Sequence, residues 1–169
     1  MRKLSRNFFN RNTVLVAKEL LGKYLCRQAD DKVIRAKITE TEAYCGQEDL
    51  ACHASKGLTE RTKVMFGPPG RAYIYLIYGM YHCLNVVTRE EGCPEAVLIR
   101  GCDLADGPGK LCRELKIDKK LNGIDLCGSK ELWFEDRGER PAKINKGKRI
   151  GVDYAGKWKD KLWRFWVDS

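Results

Sequence analysis

The pattern of hydrophobic and polar positions predicts an amphipathic helix near the start of the chain. Apolar residues recur there at helical spacing, at Val14, Ala17, Leu20 and Leu21. The polar run Asn10-Arg11-Asn12-Thr13 before them offers N-cap side chains, and Gly22 after them is the expected C-cap. We therefore expect an ordinary packing helix that ends at this glycine.

Between Val33 and Tyr44 the pattern changes to a period of two, which predicts a half-buried strand. Its apolar face carries Ile34, Ala36 and Ile38, and its polar face carries Arg35, Lys37 and Thr39. If this alternation continues, Glu40, Glu42 and Tyr44 point to the apolar side. A buried carboxylate has a raised pKa, which suits proton transfer. The alternative is that the strand ends or bulges near Thr39 and that both acids are solvated.

The rest of the chain predicts further strands separated by turns. A long polar loop spans Cys45 to Lys63. Loops of this length are often functional. The turn Gly67-Pro68-Pro69-Gly70 precedes a hairpin of two strands, Tyr73 to Ile77 and His82 to Val87, joined by Tyr78-Gly79-Met80. A further strand at Glu95 to Arg100, a short helix at Leu111 to Leu115 and a weakly periodic stretch from Leu121 to Arg149 follow.

These elements favour an α+β fold in one domain over residues 1–169. Its basis would be a curved antiparallel sheet with peripheral helices and a protruding hairpin. Internal repeats, low-complexity tracts and Pro/Gly/Ser-rich linkers are absent from the sequence.

Charge adds a class of partner to this picture. The chain has 32 Lys and Arg against 23 Asp and Glu, a formal charge of +9. Such an excess favours nucleic acid over a membrane surface or an acidic protein partner. The sequence has no apolar run long enough to span a bilayer, and its basic start lacks the apolar stretch of a signal peptide. We expect a soluble, intracellular protein with no membrane association.

The motifs of metal and nucleotide sites are missing. The eight cysteines form no C-x-x-C pair and lack zinc-ribbon or iron–sulfur spacing, so we expect reduced thiols and no metal. His53 in the polar loop and His82 in the second hairpin strand have no metal-ligand companion nearby. The run Gly107-Pro108-Gly109-Lys110 lacks the remainder of a phosphate-binding loop. We expect no cofactor.

Tyrosines crowd the predicted hairpin, at Tyr73, Tyr75, Tyr78 and Tyr81. Aromatic side chains beside basic ones stack on unpaired bases or wedge into duplexes, although some of these rings could simply form core. Tyr78 stands beside Gly79 at the turn, where it has no obvious core to fill.

Taken together, several segments resemble the alkyladenine (3-methyladenine) DNA glycosylase family. The similar segments, in chain order, are residues 38–44, Glu48-Asp49, His53, Val64-Met65-Phe66, Pro69-Gly70, residues 73–81, Asn85, residues 97–100, residues 107–112, residues 149–152 and residues 155–165. They span nearly the whole chain, and their order is far more specific than any one motif.

The resemblance implies a monofunctional DNA glycosylase that needs no cofactor, binds damaged double-stranded DNA and acts as a monomer. It implies that Glu42 is the general base, which activates a water, and that Arg100 positions that water or the backbone. It further implies that Tyr44 and Tyr75 sandwich a flipped purine and that His53 offers it a hydrogen bond. Asn85 would exclude the exocyclic amine of guanine, and Tyr78 would fill the gap in the duplex.

The sequence departs from the family pattern around Arg89 to Glu95, where two residues are inserted between Asn85 and Arg100. Two other functions compete with the one implied. One is a non-catalytic, basic nucleic-acid-binding module, against which the retention of Glu42 argues. The other is a lyase-coupled glycosylase that forms a Schiff base through a lysine, for which Lys63 or Lys110 is a candidate.

Overall fold

The computed structural model describes residues 1–168, and antiparallel strands dominate it. The strands in this range are β1 (Arg2–Lys3), β2 (Tyr24–Ala29), β3 (Lys32–Cys45), β4 (Ala72–Ile77), β5 (Tyr81–Thr88), β6 (Glu95–Cys102), β7 (Ala105–Asp106), β8 (Leu132–Asp136), β9 (Asn145–Gly147) and β10 (Arg164–Trp166). The sheet has the order β1-β8-β2-β3-β6-β5-β4, while β10 pairs with β3 and β9, and β7 pairs with β6. An open antiparallel sheet with few helices agrees with the predicted α+β class.

The helices are short and lie between strands in the chain. They are α1 (Arg6–Phe9), α2 (Thr13–Leu20) and α3 (Pro108–Glu114), with 3-10 turns at His53–Lys56, Lys63–Phe66, Lys119–Leu121 and Gly156–Asp160. The predicted helix is α2, and the Asn12 side chain caps it by accepting from the Leu15 amide at 3.1 Å. Its C-cap is Leu21 rather than Gly22, which lies one residue beyond with φ +79°. No helix within residues 1–168 is long and apolar enough to cross a membrane.

The two faces of the central strands serve different purposes. On one face α2 packs against β3 and β6, and α3 packs against β5 and β6. Buried apolar residues of this face are Ala43, Ala72, Ile74, Leu84, Val86, Val97 and Ile99. Their neighbours in the chain point to the opposite face, because side chains alternate along a strand. The polar loop after β3 and the segment 150–154 cover that opposite face and enclose a cavity.

A bulge interrupts β3 before it reaches the cavity. Ile38 pairs with Cys102, Glu40 with Gly101 and Thr41 with Ile99, so the register shifts twice. The core therefore receives Ala36 and Ile38 before the bulge but Ala43 after it. The predicted uninterrupted alternation of Glu40, Glu42 and Tyr44 with Ile38 is wrong for this reason. The bulge near Thr39 that the alternative predicted is confirmed, but solvation of both acids is wrong, since Glu42 is 0% exposed.

Strands β4 and β5 pair antiparallel from Ala72 with Val86 to Ile77 with Tyr81. The turn between them places Tyr78 and Gly79 at φ +52° and +65°, and the Met80 amide donates to the Ile77 carbonyl at 3.1 Å. Two central residues with positive φ are typical of a type I′ turn, whose twist matches that of paired strands. The Tyr78 side chain is 88% exposed at this turn.

Candidate active site

The cavity on the second face of the sheet has a volume of about 590 Å³. It is lined by the predicted site residues Tyr44, His53, Tyr75, Tyr78, Asn85 and Arg100. Strands β3 to β6, the polar loop and the segment 150–154 each contribute to its wall. The chain thus brings together side chains that are far apart in the sequence.

Glu42 lies behind this lining, with its carboxylate fully enclosed. The Tyr44 hydroxyl donates to Oε2 at 2.7 Å, and the Ile150 amide donates to Oε1 at 2.8 Å. Arg100 Nε stands 3.7 Å from Oε1. Burial raises the pKa of Glu42, while Arg100 and the two hydrogen bonds lower it in part. The predicted burial of this carboxylate is confirmed.

Arg100 connects two carboxylates on the cavity side of the sheet. Its Nε lies 3.2 Å from Glu40 Oε1, which also accepts from Arg164 at 3.1 Å. The segment in which an insertion was predicted, Arg89 to Glu95, lies in the connection between β5 and β6 and ends at the first residue of β6. Arg100 lies later in β6, beside Glu42.

Aromatic rings form one wall of the cavity. His53 Nδ1 is hydrogen-bonded to the Tyr73 hydroxyl at 2.8 Å, and its ring meets the Tyr75 ring edge-on with centroids 4.5 Å apart. Burial, together with the nearby Arg61 guanidinium, lowers the pKa of His53 to about 4. The imidazole is therefore neutral near pH 7 and can offer one donor and one acceptor.

Asn85 is held rigidly within the sheet. Its side chain is buried, and Nδ2 donates to the Tyr73 carbonyl at 3.1 Å on the neighbouring strand β4. The amide group faces the cavity with its orientation fixed by the backbone of β4. A fixed polar group of this kind can discriminate between bases by steric and hydrogen-bond fit.

Sequence reasoning assigned no role to several residues that shape the site. Asp49 and Arg149 form a buried ion pair beneath Tyr44, while Arg61 and Tyr154 line the cavity. Asp49 and Arg149 lie in segments that resemble the family, but the resemblance implied no role for either residue. Nothing in the local pattern indicates that they pair across 100 positions.

Two other kinds of chemistry find little support in the described part of the chain. No group of three or more His, Cys, Asp and Glu residues in it could hold a metal ion. Likewise, among residues 1–168 no lysine lines the cavity. Lys63 forms an ion pair with Glu60 at 2.7 Å and is largely exposed, and Lys110 is exposed on α3.

Comparison with known proteins places the chain in a family. The family model described as Methylpurine-DNA glycosylase (MPG) matches residues 7–104 and 101–169. The chain is similar, at 53% identity over 99% of its length and 95% of the relative's, to a Legionella pneumophila (strain Lens) protein with the provisional name 3-methyladenine DNA glycosylase. Relatives with the same provisional name come from Methanocella arvoryzae, at 49% identity over 96% of this chain and 91% of the relative, and Desulfitobacterium hafniense, at 44% over 100% and 97%. This protein is a member of the methylpurine-DNA glycosylase family.

Proposed function

We propose that this protein excises alkylated or deaminated purines from duplex DNA by hydrolysing the N-glycosidic bond, the first step of base excision repair. The observation that carries the proposal is the Glu42 carboxylate, buried behind a cavity large enough for a purine and held by donors on both oxygens. Burying a carboxylate is costly, so such a group suggests a function that needs it.

In the proposed reaction, ionised Glu42 accepts a proton from a water molecule. The resulting hydroxide attacks the anomeric carbon of the flipped nucleotide, and the electron pair of the C–N bond leaves with the base. The sugar develops positive charge as this bond breaks, and the Glu42 carboxylate stabilises that charge in a site of low dielectric. Arg100 orients the carboxylate or the water from its position beside Oε1.

The lining residues would select the base. Tyr44 and Tyr75 would stack on its two faces and favour a positively charged alkylated purine by roughly 1 to 2 kcal/mol. Neutral His53 would hydrogen-bond the base edge, and Asn85 would reject the exocyclic amine of guanine. Exposed Tyr78 would replace the stacking lost when the nucleotide leaves the duplex.

The competing functions fit the cavity less well. A Schiff base needs a lysine amine at the anomeric carbon, and the residues described here place none on the cavity wall. A non-catalytic binding module has no need of a fully buried carboxylate. Borohydride trapping of the enzyme on damaged duplex checks the first alternative, and release of free base checks the second.

The test of the proposal is Glu42→Gln. The amide keeps the side-chain shape but cannot take the proton from water, so single-turnover excision should fall by about 10²- to 10⁴-fold while binding to damaged duplex is retained. Glu48→Gln, at an exposed acid of the neighbouring loop, is the matched control and should excise at the parent rate. Equal rates for Glu42→Gln and the parent would remove Glu42 from the mechanism and make Glu40 the next candidate.

A further inference from the structure

A buried ion pair joins the polar loop to the C-terminal part of the chain directly beneath the cavity. Arg149 Nη1 lies 2.5 Å from Asp49 Oδ2, and Nη2 lies 2.9 Å from Oδ1. Both side chains are 0% exposed. A charge pair withdrawn completely from water rarely gains stability over apolar residues of the same size, so its presence calls for another explanation.

Arg149 is fixed by contacts on every side. Nη1 also donates to the Ala43 carbonyl at 3.0 Å, and Nη2 donates to the Trp158 carbonyl at 3.2 Å. The guanidinium carbon lies 4.8 Å from the centroid of the Tyr44 ring and 5.1 Å from that of Trp163. Arg149 Nε is the one buried side-chain nitrogen or oxygen within residues 1–168 that has no hydrogen-bond partner. The guanidinium therefore lies against Tyr44 with one of its donors unsatisfied.

Asp49 is fixed just as firmly. The Cys45 amide donates to Oδ2 and the Ala51 amide donates to Oδ1, each at 3.1 Å. The carboxylate therefore accepts from its own loop as well as from Arg149. The ion pair ties the loop after β3 to the chain that begins at residue 149.

The next residue along the chain reaches the proposed general base. Ile150 donates its backbone amide to Glu42 Oε1, and Tyr44, which rests on the Arg149 guanidinium, donates its hydroxyl to Oε2. Both hydrogen bonds to the Glu42 carboxylate thus come from groups that touch Arg149 or follow it directly in the chain.

We propose that Asp49 and Arg149 are positioning residues that lock Tyr44 and the Ile150 amide against the Glu42 carboxylate. This inference rests on the proposed function of Glu42. The ion pair acts through geometry: it keeps one aromatic wall of the base site and the general base in a fixed relation. Apolar residues would fill the same space without specifying the direction of the Ile150 amide.

The pH dependence of excision reports on this lock. The ionisable groups that act on Glu42 are Arg100, Tyr44, Glu40, Tyr75 and Cys83. Arg100 and the donors from Ile150 and Tyr44 favour the ionised carboxylate, whereas burial and Glu40 disfavour it. Loosening the lock weakens both donors and leaves burial in place, so the pKa of Glu42 rises. The acid limb of the excision rate then moves to higher pH.

The experiment compares single-turnover excision against pH in the full-length parent and three variants, using damaged duplex DNA. Arg149→Lys keeps the positive charge but loses the planar fork that contacts both Asp49 oxygens. Ile150→Pro removes the amide donor while both side chains of the ion pair are kept. Lys23→Met is the matched control, because it removes buried Lys23 from another ion pair, with partly buried Asp136 at 3.1 Å, and neither residue lines the cavity.

We expect Arg149→Lys and Ile150→Pro to move the acid limb upward by about half a unit to one unit. Excision by Arg149→Lys at neutral pH should slow by about 10- to 100-fold, with little change in DNA affinity. Lys23→Met should lower the thermal stability of the protein and leave the acid limb of the pH–rate profile where it lies in the parent. The proposal is overturned if Arg149→Lys loses as much thermal stability as Lys23→Met and its acid limb of excision lies at the same pH as that of the parent.

Two further measurements keep the inference separate from the proposed function and from misfolding. If Glu42→Gln excises like the parent, the proposed function is refuted. If Glu42→Gln is inactive but Arg149→Lys shows the same pH dependence of excision as the parent, only the positioning role of Asp49 and Arg149 is refuted. If Arg149→Lys does not fold, Asp49→Asn replaces it, since the amide keeps the shape of the side chain and removes its charge. An unshifted limb in Asp49→Asn or in Ile150→Pro then overturns the proposal.

Discussion

Burial, more than any charged neighbour, sets the protonation state of His53. Its pKa falls to about 4 because the ring is desolvated, and the Arg61 guanidinium adds to the effect. In the unfolded chain this histidine has its ordinary pKa of 6.5. Between these two values the unfolded state binds more protons than the folded state. Neutral His53 therefore contributes stability that is complete above 6.5 and is lost as the pH falls toward about 4.

This difference predicts the effect of His53→Gln, which cannot take up a proton. Thermal unfolding of the parent should shift to lower temperature between pH 7 and pH 5 by more than that of the variant. Differential scanning calorimetry at the two pH values measures the shift. His82→Gln is the matched control at the other histidine, and an equal response of His53→Gln and the parent would contradict a neutral, buried His53.

At the level of single residues, the sequence predicts chemistry better than it predicts contacts. The alternation before Glu42 predicted its burial, and this burial is confirmed, although the bulge turns Glu42 to the face opposite Ile38. The bulge near Thr39 has no clear signal in the sequence, since residues 39–42 are all polar and carry no apolar position that would mark the change of register. The contact between Asp49 and Arg149 has no local signal, because long-range pairing depends on the folded path of the chain.

Among the elements, the turn between β4 and β5 holds an aromatic side chain in an unfavourable backbone conformation. A non-glycine residue at positive φ costs about 1 to 2 kcal/mol, and Tyr78 adopts φ +52° with its ring largely in solvent. The folded protein alone gains little from a tyrosine there. This is the arrangement expected if the ring is kept for contact with DNA.

Tyr78→Asn tests this interpretation. Asn-Gly is the preferred sequence of a type I′ turn, so the melting temperature should stay the same or rise by a few degrees. Excision should slow most for lesions that stay well paired and least for mispaired ones, because the lost ring stabilises the flipped state. Tyr81→Asn, in the adjacent strand, is the comparison variant. A marked fall in melting temperature for Tyr78→Asn, or equal slowing for all lesions, would make Tyr78 a packing or general binding residue.

The elements themselves were predictable where a periodic pattern lies between clear turns. The helix α2 and the strands β3 to β6 meet this condition, and their positions are confirmed to within a few residues. The strand β8 could not be predicted in this way, because it lies in the charged stretch from Leu121 to Arg149, where the alternation of polar and apolar residues is hidden. It becomes a strand through its pairing with β1 and β2, a tertiary effect that overrides weak local preference.

For the whole molecule, the charge of +9 predicts salt-sensitive binding to undamaged duplex DNA. Five phosphate contacts would give a slope of roughly −4 to −5 in a plot of log affinity against log salt concentration. Lys157 and Lys161 are candidates for two of these contacts. Both are exposed, Lys157 within the 3-10 turn that follows the cavity-lining Tyr154 and Lys161 directly after that turn.

Replacing both lysines, Lys157→Gln with Lys161→Gln, should reduce the magnitude of this slope by about 2. The control pair is Lys32→Gln with Lys130→Gln. Lys32 begins β3, roughly 30 Å from Glu42 at the usual rise of a strand, and Lys130 lies near the same end of the sheet. Fluorescence anisotropy over a series of salt concentrations measures both pairs. Equal slopes would place the DNA on a different face.

Core and cavity residues alternate along β4, β5 and β6, so the number of residues in these strands determines which side chains face the cavity. Several cavity residues have core residues on both sides in the chain, as Asn85 lies between Leu84 and Val86. A deletion of one residue within β5 would turn Leu84 toward the cavity or Asn85 into the core. A substitution within these strands therefore changes the cavity lining and keeps the register, whereas a change of length is tolerated only in connections such as the one between β5 and β6.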